Sequence, residues 1–328
     1  MDIIVALGGD LMRPLNFKVI HGGARKEGLI DFSASVNPYP PEWLSEVFER
    51  AKDLSSRYIY YEELEEEFES LIGEPITITA GITEALYLLG ILTLRNKRVI
   101  IPNHTYGEYE RIARMFGAKV IKGPNDPSKL AELVERESVV LFCNPNNPDG
   151  KYYTPKELKS LIDAVTDTNS LLILDEAFID FVKKAKSPSG ENLIKLRTFT
   201  KSYGVPGIRI GYVIGFSEAF RSVRMPWNIG AVGVAFLEKV IEDEFAHLRR
   251  TLPLIWREKE RIERRLGVKS DANFFIMNVG DARAVVEKLK KKGILVRDCS
   301  SFGLPNYIRF SVRKPEENDK LIEALTSL

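Results

Sequence analysis

The chain has 328 residues, and 47 Lys and Arg against 46 Asp and Glu leave a formal net charge of +1. Binding to nucleic acid or to an anionic membrane is driven largely by clustered excess positive charge, so this balance argues against both partners. With 44% hydrophobic and 28% charged residues, the composition is that of a folded globular protein with a large core or two cores, and disorder is excluded as the main state.

At the N-terminus, MDIIVALGGDLMRPLNF has only a few consecutive apolar residues and an acid at Asp2, unlike a secretory leader. No apolar run approaches the roughly 20 residues that a membrane helix needs. A cytoplasmic protein is the expectation. The segment 21–45 is rich in Gly, Pro and Ser and is expected to cross the surface between two parts of the chain.

From about residue 75 to 215, short β-rich runs alternate with helical patterns, the rhythm of α/β units around a mostly parallel sheet. The runs lie at 75–81, 97–103, 118–123, 138–145, 170–178, 194–201 and 208–215. Several are apolar without alternation, as expected of strands covered on both faces. Apolar residues three and four apart predict helices over 82–94 and 154–166. Beyond 215 the charged stretch 232–266 predicts one or two amphipathic helices. NFFIMNV, GILVRDC and YIRFSVR then read as strands around a helix at 281–292, forming a smaller α+β unit. Cys143 and Cys299 stand far apart, and His21, His104 and His247 are scattered, so neither a disulfide framework nor a metal site is expected.

In open α/β sheets ligands sit at the carboxyl ends of strands. The polar residues there are Gly81–Thr83, Asn144–Asn147, Asp175 and Lys201, with Arg209 close behind. Each has an ordinary structural use: a glycine turn caps a helix, an acid ends a strand, a lysine faces solvent. Together they supply an amine to bond an aldehyde, an acid to keep a pyridine nitrogen protonated, and the backbone N–H groups of Ile82 and Thr83 to hold phosphate. Those are the needs of pyridoxal phosphate.

PNNPDG at 145–150, DEAFIDF at 175–181 and TFTKSYGVPGIRIGY at 198–212 resemble, in order and spacing, the fold-type I pyridoxal-phosphate enzymes of the class I/II aminotransferase group. The resemblance implies an α/β protein with a large cofactor-binding domain, residues 46–229, built on a mixed, mostly parallel seven-stranded sheet. Residues 1–45 and 230–328 would form the N-terminal segment and a small α+β domain, and the active form would be a homodimer. By resemblance Lys201 is the lysine that bonds the cofactor, and Asp175 the acid paired with its ring nitrogen. Asn147 matches the amide that meets the phenolic oxygen, and Tyr106 the aromatic stacked on the ring. Gly81, Ile82, Thr83, Thr198 and Arg209 match phosphate ligands. Tyr58 matches a tyrosine that reaches the cofactor phosphate of the partner subunit. On the substrate side, Arg309 matches the arginine that pairs with an acidic group. Arg297, with Arg313, and His21 are candidates for a substrate phosphate, and Ser35 lies in a substrate-facing stretch.

Within the group, HGG at 21–23, DFSASVNPYP at 31–40, Phe178, MPWNIGA at 225–231 and DANFFIM at 271–277 resemble the threonine-phosphate decarboxylases, with the histidinol-phosphate aminotransferases next. This implies a small phosphorylated amino acid or amino alcohol as substrate. The first expectation is loss of CO2 from O-phosphothreonine, giving aminopropanol phosphate for a cobamide. The alternative is transamination of histidinol phosphate or an aromatic amino acid with 2-oxoglutarate. Two positions depart from the patterns: Ser35 stands where the decarboxylases have Asn, and Asp149 where both groups have Thr.

Overall fold

Residues 17, 19–24 and 28–327 are described by a computed structural model. The stretch MDIIVALGGDLMRPLN, read above against a secretory leader, lies outside the described residues.

The apolar and β-branched runs become strands. In chain order they are β1 (Ile30–Asp31), β2 (Ile76–Thr79), β3 (Arg98–Pro102), β4 (Lys119–Gly123), β5 (Val139–Cys143) and β6 (Leu171–Asp175). β7 (Leu193–Thr198), β8 (Gly211–Ile214), β9 (Phe274–Asn278), β10 (Ile294–Leu295), β11 (Arg297–Asp298) and β12 (Tyr307–Ser311) follow. Seven of them form one sheet in the order β2-β8-β7-β6-β5-β3-β4. Only β8 runs antiparallel to its neighbours, so the sheet is mixed and mostly parallel, as expected. β11, β12 and β9 make a small antiparallel sheet, and β1 pairs in parallel with β10.

Helices cover both faces of the large sheet, which explains strands that are apolar throughout. On one face the helix Pro155–Asp167 buries Leu158, Leu161 and Val165 with Phe142, Leu172 and Leu174. It starts at a reciprocal cap: the Thr154 hydroxyl accepts from the Glu157 N–H, and the Glu157 carboxylate accepts from the Thr154 N–H. On the other face Leu86, Leu89 and Ile112, from the helices Ile82–Leu89 and Gly107–Met115, pack with Val99, Leu141 and Ile173. The helix expected over 82–94 stops at Leu89 and widens into a π turn over Gly90–Leu94. A side chain at Gly90 would collide with the Phe116 ring, so the bare Cα is what lets that ring pack there.

The stretch 232–266 forms two helices, Ala231–Asp243 and Ala246–Leu266, separated by Glu244 and Phe245 with left-handed backbones. The first packs against the helix Leu44–Leu54 in the core that holds Ile78 and Tyr212. The second joins the two parts, with Leu248 in the large core and Ile255 and Ile262 in the small one. No helix among the described residues is long and apolar enough to cross a membrane.

Two expectations are corrected. GILVRDC is not one strand: it breaks at Val296, and its halves pair with different sheets. Nor does 21–45 simply cross the surface. Phe32, Ser33, Ser35 and Asn37 are buried, because β1 pairs with β10 and the Ser311 N–H donates to the Phe32 carbonyl (2.9 Å), drawing the chain between the two cores.

Candidate active site

A cavity of about 850 Å3 opens where the carboxyl ends of β3, β5, β6 and β7 face β12 and the buried segment 31–36. This is the strand-end position at which α/β sheets hold ligands. Lys201, Asp175, Tyr106, Asn147, Thr198 and Arg209 all line it, together with Ile82 and Thr83. So do the substrate-side candidates Arg309, Arg297, His21 and Ser35.

Asp175 ends β6 with its side chain fully inside the protein. The Tyr109 hydroxyl donates to one carboxylate oxygen (2.6 Å) and the Ala177 N–H to the other (2.9 Å). Burial pushes the carboxyl up to about 6, and these two donors oppose the rise. Nothing in the sequence singles out Tyr109, since only its place on the helix Gly107–Met115, one turn after Tyr106, brings it there. The Tyr106 and Tyr109 rings meet edge to face at 5.5 Å.

Lys201 does not end a strand. It follows β7 on a short helix, Phe199–Ser202, capped by the Thr198 hydroxyl, which accepts from the Thr200 N–H (3.2 Å). Burial and the positive charges of Arg309 and Arg209 pull its ammonium down to about 8, against the attraction of Asp175. A partly buried lysine so displaced is partly neutral at physiological pH, as an amine that must bond an aldehyde requires. Phe178 faces it, with the ring centroid 5.7 Å from Nζ.

Gly81 adopts φ +79° as the chain turns from β2 into the helix Ile82–Leu89. A Cβ there would lie 2.8 Å from an Arg209 guanidinium nitrogen, so glycine is needed both for the backbone and for the close approach. No side chain caps this helix, leaving its first N–H groups for an anion. Thr198 donates to the Ile210 carbonyl (3.0 Å) and Thr200 lies beside Arg209, so hydroxyls and a guanidinium surround the turn.

Arg309, on β12, is buried, with one guanidinium nitrogen donating to the Ser33 carbonyl (2.8 Å) and another to the Asn147 side-chain oxygen. Its Nε and the buried Ser35 hydroxyl have no hydrogen-bond partner among the described residues. Arg297 spends its donors otherwise: on the Ile20 carbonyl (2.6 Å), the His21 carbonyl (3.3 Å) and the Ser301 hydroxyl (2.8 Å). It ties down the segment 20–21. His21 Nε2 lies 3.0 Å from Glu108, which also pairs with Arg111 (3.1 Å). Arg313 pairs with Glu317 and donates to the Asp31 carbonyl, outside the cavity. Tyr58 is 72% exposed, stacks on Trp227 at 4.4 Å and does not line the cavity of its own chain. Cys143 and Cys299 are buried and free.

A partly neutral amine, a carboxylate still ionised above about pH 6, an uncapped helix start beside Arg209, and orphan donors at Ser35 and Arg309 fit a phosphorylated pyridine aldehyde with an acidic substrate beside it.

Residues 27–325 match the family described as aminotransferase class I and II. A histidinol-phosphate aminotransferase 1 of Archaeoglobus fulgidus is 30% identical over 319 residues, 90% of this chain and 98% of that protein. A protein of Caldanaerobacter subterraneus subsp. tengcongensis, provisionally named threonine-phosphate decarboxylase, is 30% identical over 330 residues, 90% of this chain and 89% of its own. Among solved structures, a histidinol-phosphate aminotransferase from Sinorhizobium meliloti in complex with pyridoxal-5'-phosphate is 25% identical. It covers 90% of this chain and 89% of that one at a TM-score of 0.81.

Proposed function

We propose that this chain, which belongs to the aminotransferase class I and II family and is a pyridoxal-phosphate enzyme, removes CO2 from O-phosphothreonine and releases aminopropanol phosphate, a cobamide building block. The observation that carries the reading is that one cavity is lined both by buried Arg309, whose Nε has no partner among the described residues, and by His21 of the N-terminal segment. A substrate with a carboxylate for the first and a phosphate for the second satisfies both. Histidinol phosphate offers only the phosphate, and in that reaction the carboxylate for Arg309 comes from 2-oxoglutarate instead.

When bound, pyridoxal phosphate supplies an aldehyde that condenses with amines and a protonated ring that draws electrons from the substrate α-carbon. The chain's residues do the rest. Asp175, held by Tyr109, keeps the proton on the ring nitrogen. Arg309 orients the carboxylate, and orientation decides which bond at the α-carbon breaks. Lys201, in its ammonium form, delivers the proton to that carbon and is left as the neutral amine. Phe178 adds no hydroxyl to the cavity, so Asn147 is left as the assigned donor to the phenolic oxygen. The same reading makes the enzyme a cytoplasmic homodimer in which Tyr58 reaches the phosphate in the second copy.

The transaminase alternative is favoured by the names of most relatives, so the test pairs the two reactions. Loaded enzyme with O-phosphothreonine is expected to release CO2. Histidinol phosphate with 2-oxoglutarate is expected to give no glutamate. Glutamate without CO2 overturns the proposal.

A further inference from the structure

The helix that carries Lys201 has four residues. A single helical turn is costly to nucleate and has few bonds of its own, so contacts from elsewhere must set its backbone. At its start the Thr198 hydroxyl does so. At its end a residue 165 positions away takes over. The Asn37 N–H donates to the Lys201 carbonyl (2.8 Å), and its side-chain amide donates to the Ser202 carbonyl (2.8 Å) and to the Thr251 hydroxyl (2.9 Å). The Asn37 side-chain oxygen accepts from the Tyr39 N–H (2.9 Å), so the amide cannot turn over without breaking three bonds. Asn37 is 2% exposed. Directly after the helix, Gly204 has φ +68°, and a Cβ there would stand 2.3 Å from the Asn37 carbonyl oxygen, so the two backbones are in close contact.

The same segment also holds the substrate-side cation. Four residues earlier, the Ser33 carbonyl accepts from Arg309. One short stretch, 33–37, thus touches the lysine at one end and the arginine at the other. It in turn is fixed to β12 by the Ser311 hydroxyl, which donates to the Phe32 carbonyl (3.1 Å).

We propose that Asn37 is a positioning residue for Lys201, and that the segment 33–37 spaces the lysine amine from the Arg309 guanidinium. Asn37 does not line the cavity; it acts by holding the carbonyls at the end of the lysine's helix. The inference rests on the reading of Lys201 as the cofactor lysine.

The groups that face the Lys201 amine are Arg309, Arg209 and Asp175, and its protonation reports its distance from them. Two titrations read this out. In the cofactor-free protein, the rate at which an acylating reagent modifies Lys201, followed by peptide mass, is measured against pH. In the loaded protein, the visible band of the lysine-bound cofactor is followed against pH. For Asn37→Ala the amine's midpoint is expected to rise by about half a pH unit or more as the lysine moves away from the two guanidiniums. The visible band is expected to shift its midpoint, with kcat down roughly tenfold or more and KM within about twofold. Ser311→Ala removes the hydroxyl but keeps the Ser311 N–H bond to the Phe32 carbonyl that holds the segment, so it lowers the melting temperature but leaves the Lys201 midpoint in place. Should Asn37→Ala fail to fold, Thr251→Ala, which frees one hydrogen of the Asn37 amide, is expected to shift the midpoint in the same direction by less.

A folded Asn37→Ala, or failing that Thr251→Ala, whose titrations superimpose on the parent overturns the inference. So does Ser311→Ala shifting the midpoint as far as Asn37→Ala, for then the segment merely loosens. A parent protein with no visible band in pyridoxal phosphate sinks instead the reading of Lys201 itself.

Discussion

Lys201 and Asp175 share one cavity, and burial displaces each toward its neutral form. For the lysine, the pKa in the folded state is depressed to about 8 from an ordinary 10.5. The resulting stability is fully present above 10.5 and is lost as pH falls through about 8. At pH 7 the cofactor-free protein therefore carries a penalty of about 3 kcal/mol at this one side chain. Lys201→Met, of similar length and without charge, is expected to raise the melting temperature of the cofactor-free protein at pH 7, with the gain fading toward pH 10. A gain that is the same at both pH values contradicts this account. At the residue scale the sequence motifs marked Lys201, Asp175, Asn147 and Arg209, because each falls in a run whose order is itself distinctive. Tyr109 and Asn37 were not legible. Their partners lie 66 and 165 residues away, and nothing in local spacing signals a hydrogen bond of that reach. Arg297 shows the converse: a plausible phosphate ligand by type, its donors are taken by backbone carbonyls at 20 and 21.

At the scale of elements, the turn from β2 into Ile82–Leu89 is the most constrained piece of the cavity wall. Gly81→Ala must place an L side chain at φ +79° and push an Arg209 nitrogen from 2.8 Å. The expected cost is about 1–2 kcal/mol of stability. Affinity for pyridoxal phosphate, read by equilibrium dialysis, should fall by roughly tenfold or more, because Arg209 and the helix start no longer converge. Unchanged affinity would show that this turn does not hold the phosphate. The large-sheet strands were legible because both faces are covered and their apolar runs are continuous. The segment 21–45 is not legible for the opposite reason. Its Gly, Pro and Ser content is that of a surface crossing, yet pairing of β1 with β10 and bonds from Ser311 and Arg309 draw it inside, and those contacts are invisible in composition. GILVRDC failed likewise: seven residues are enough for one strand, and only the two sheets that compete for it decide the break at Val296.

Across the whole molecule, a net charge of +1 concealed a local concentration of cations. Lys201, Arg209 and Arg309 converge on one cavity, which suits a small phosphorylated cofactor and an acidic substrate and says nothing of polyanions. The exposed Tyr58, Tyr60 and Trp227 form an aromatic cluster, and neither they nor the exposed Met225 line that cavity. If a second copy covers it and borrows Tyr58, two inactive variants can rescue each other. An equal mixture of Tyr58→Ala and Lys201→Ala, unfolded and refolded together, should recover about a quarter of the parent activity, since half the pairs are mixed and each has one intact site. No recovery would assign Tyr58 to its own chain's surface.

The central claim is that this fold brings a lysine, an acid and a phosphate cradle together for pyridoxal phosphate, with Lys201 as the point of attachment. It is tested most directly by loading the protein with pyridoxal phosphate, reducing with borohydride and mapping the peptides by mass. The account predicts the mass of the reduced cofactor on the peptide holding Lys201 and on no other, and its disappearance in Lys201→Ala. Cofactor fixed on a different lysine, or an unmodified Lys201 peptide in a protein that binds the cofactor, would contradict it.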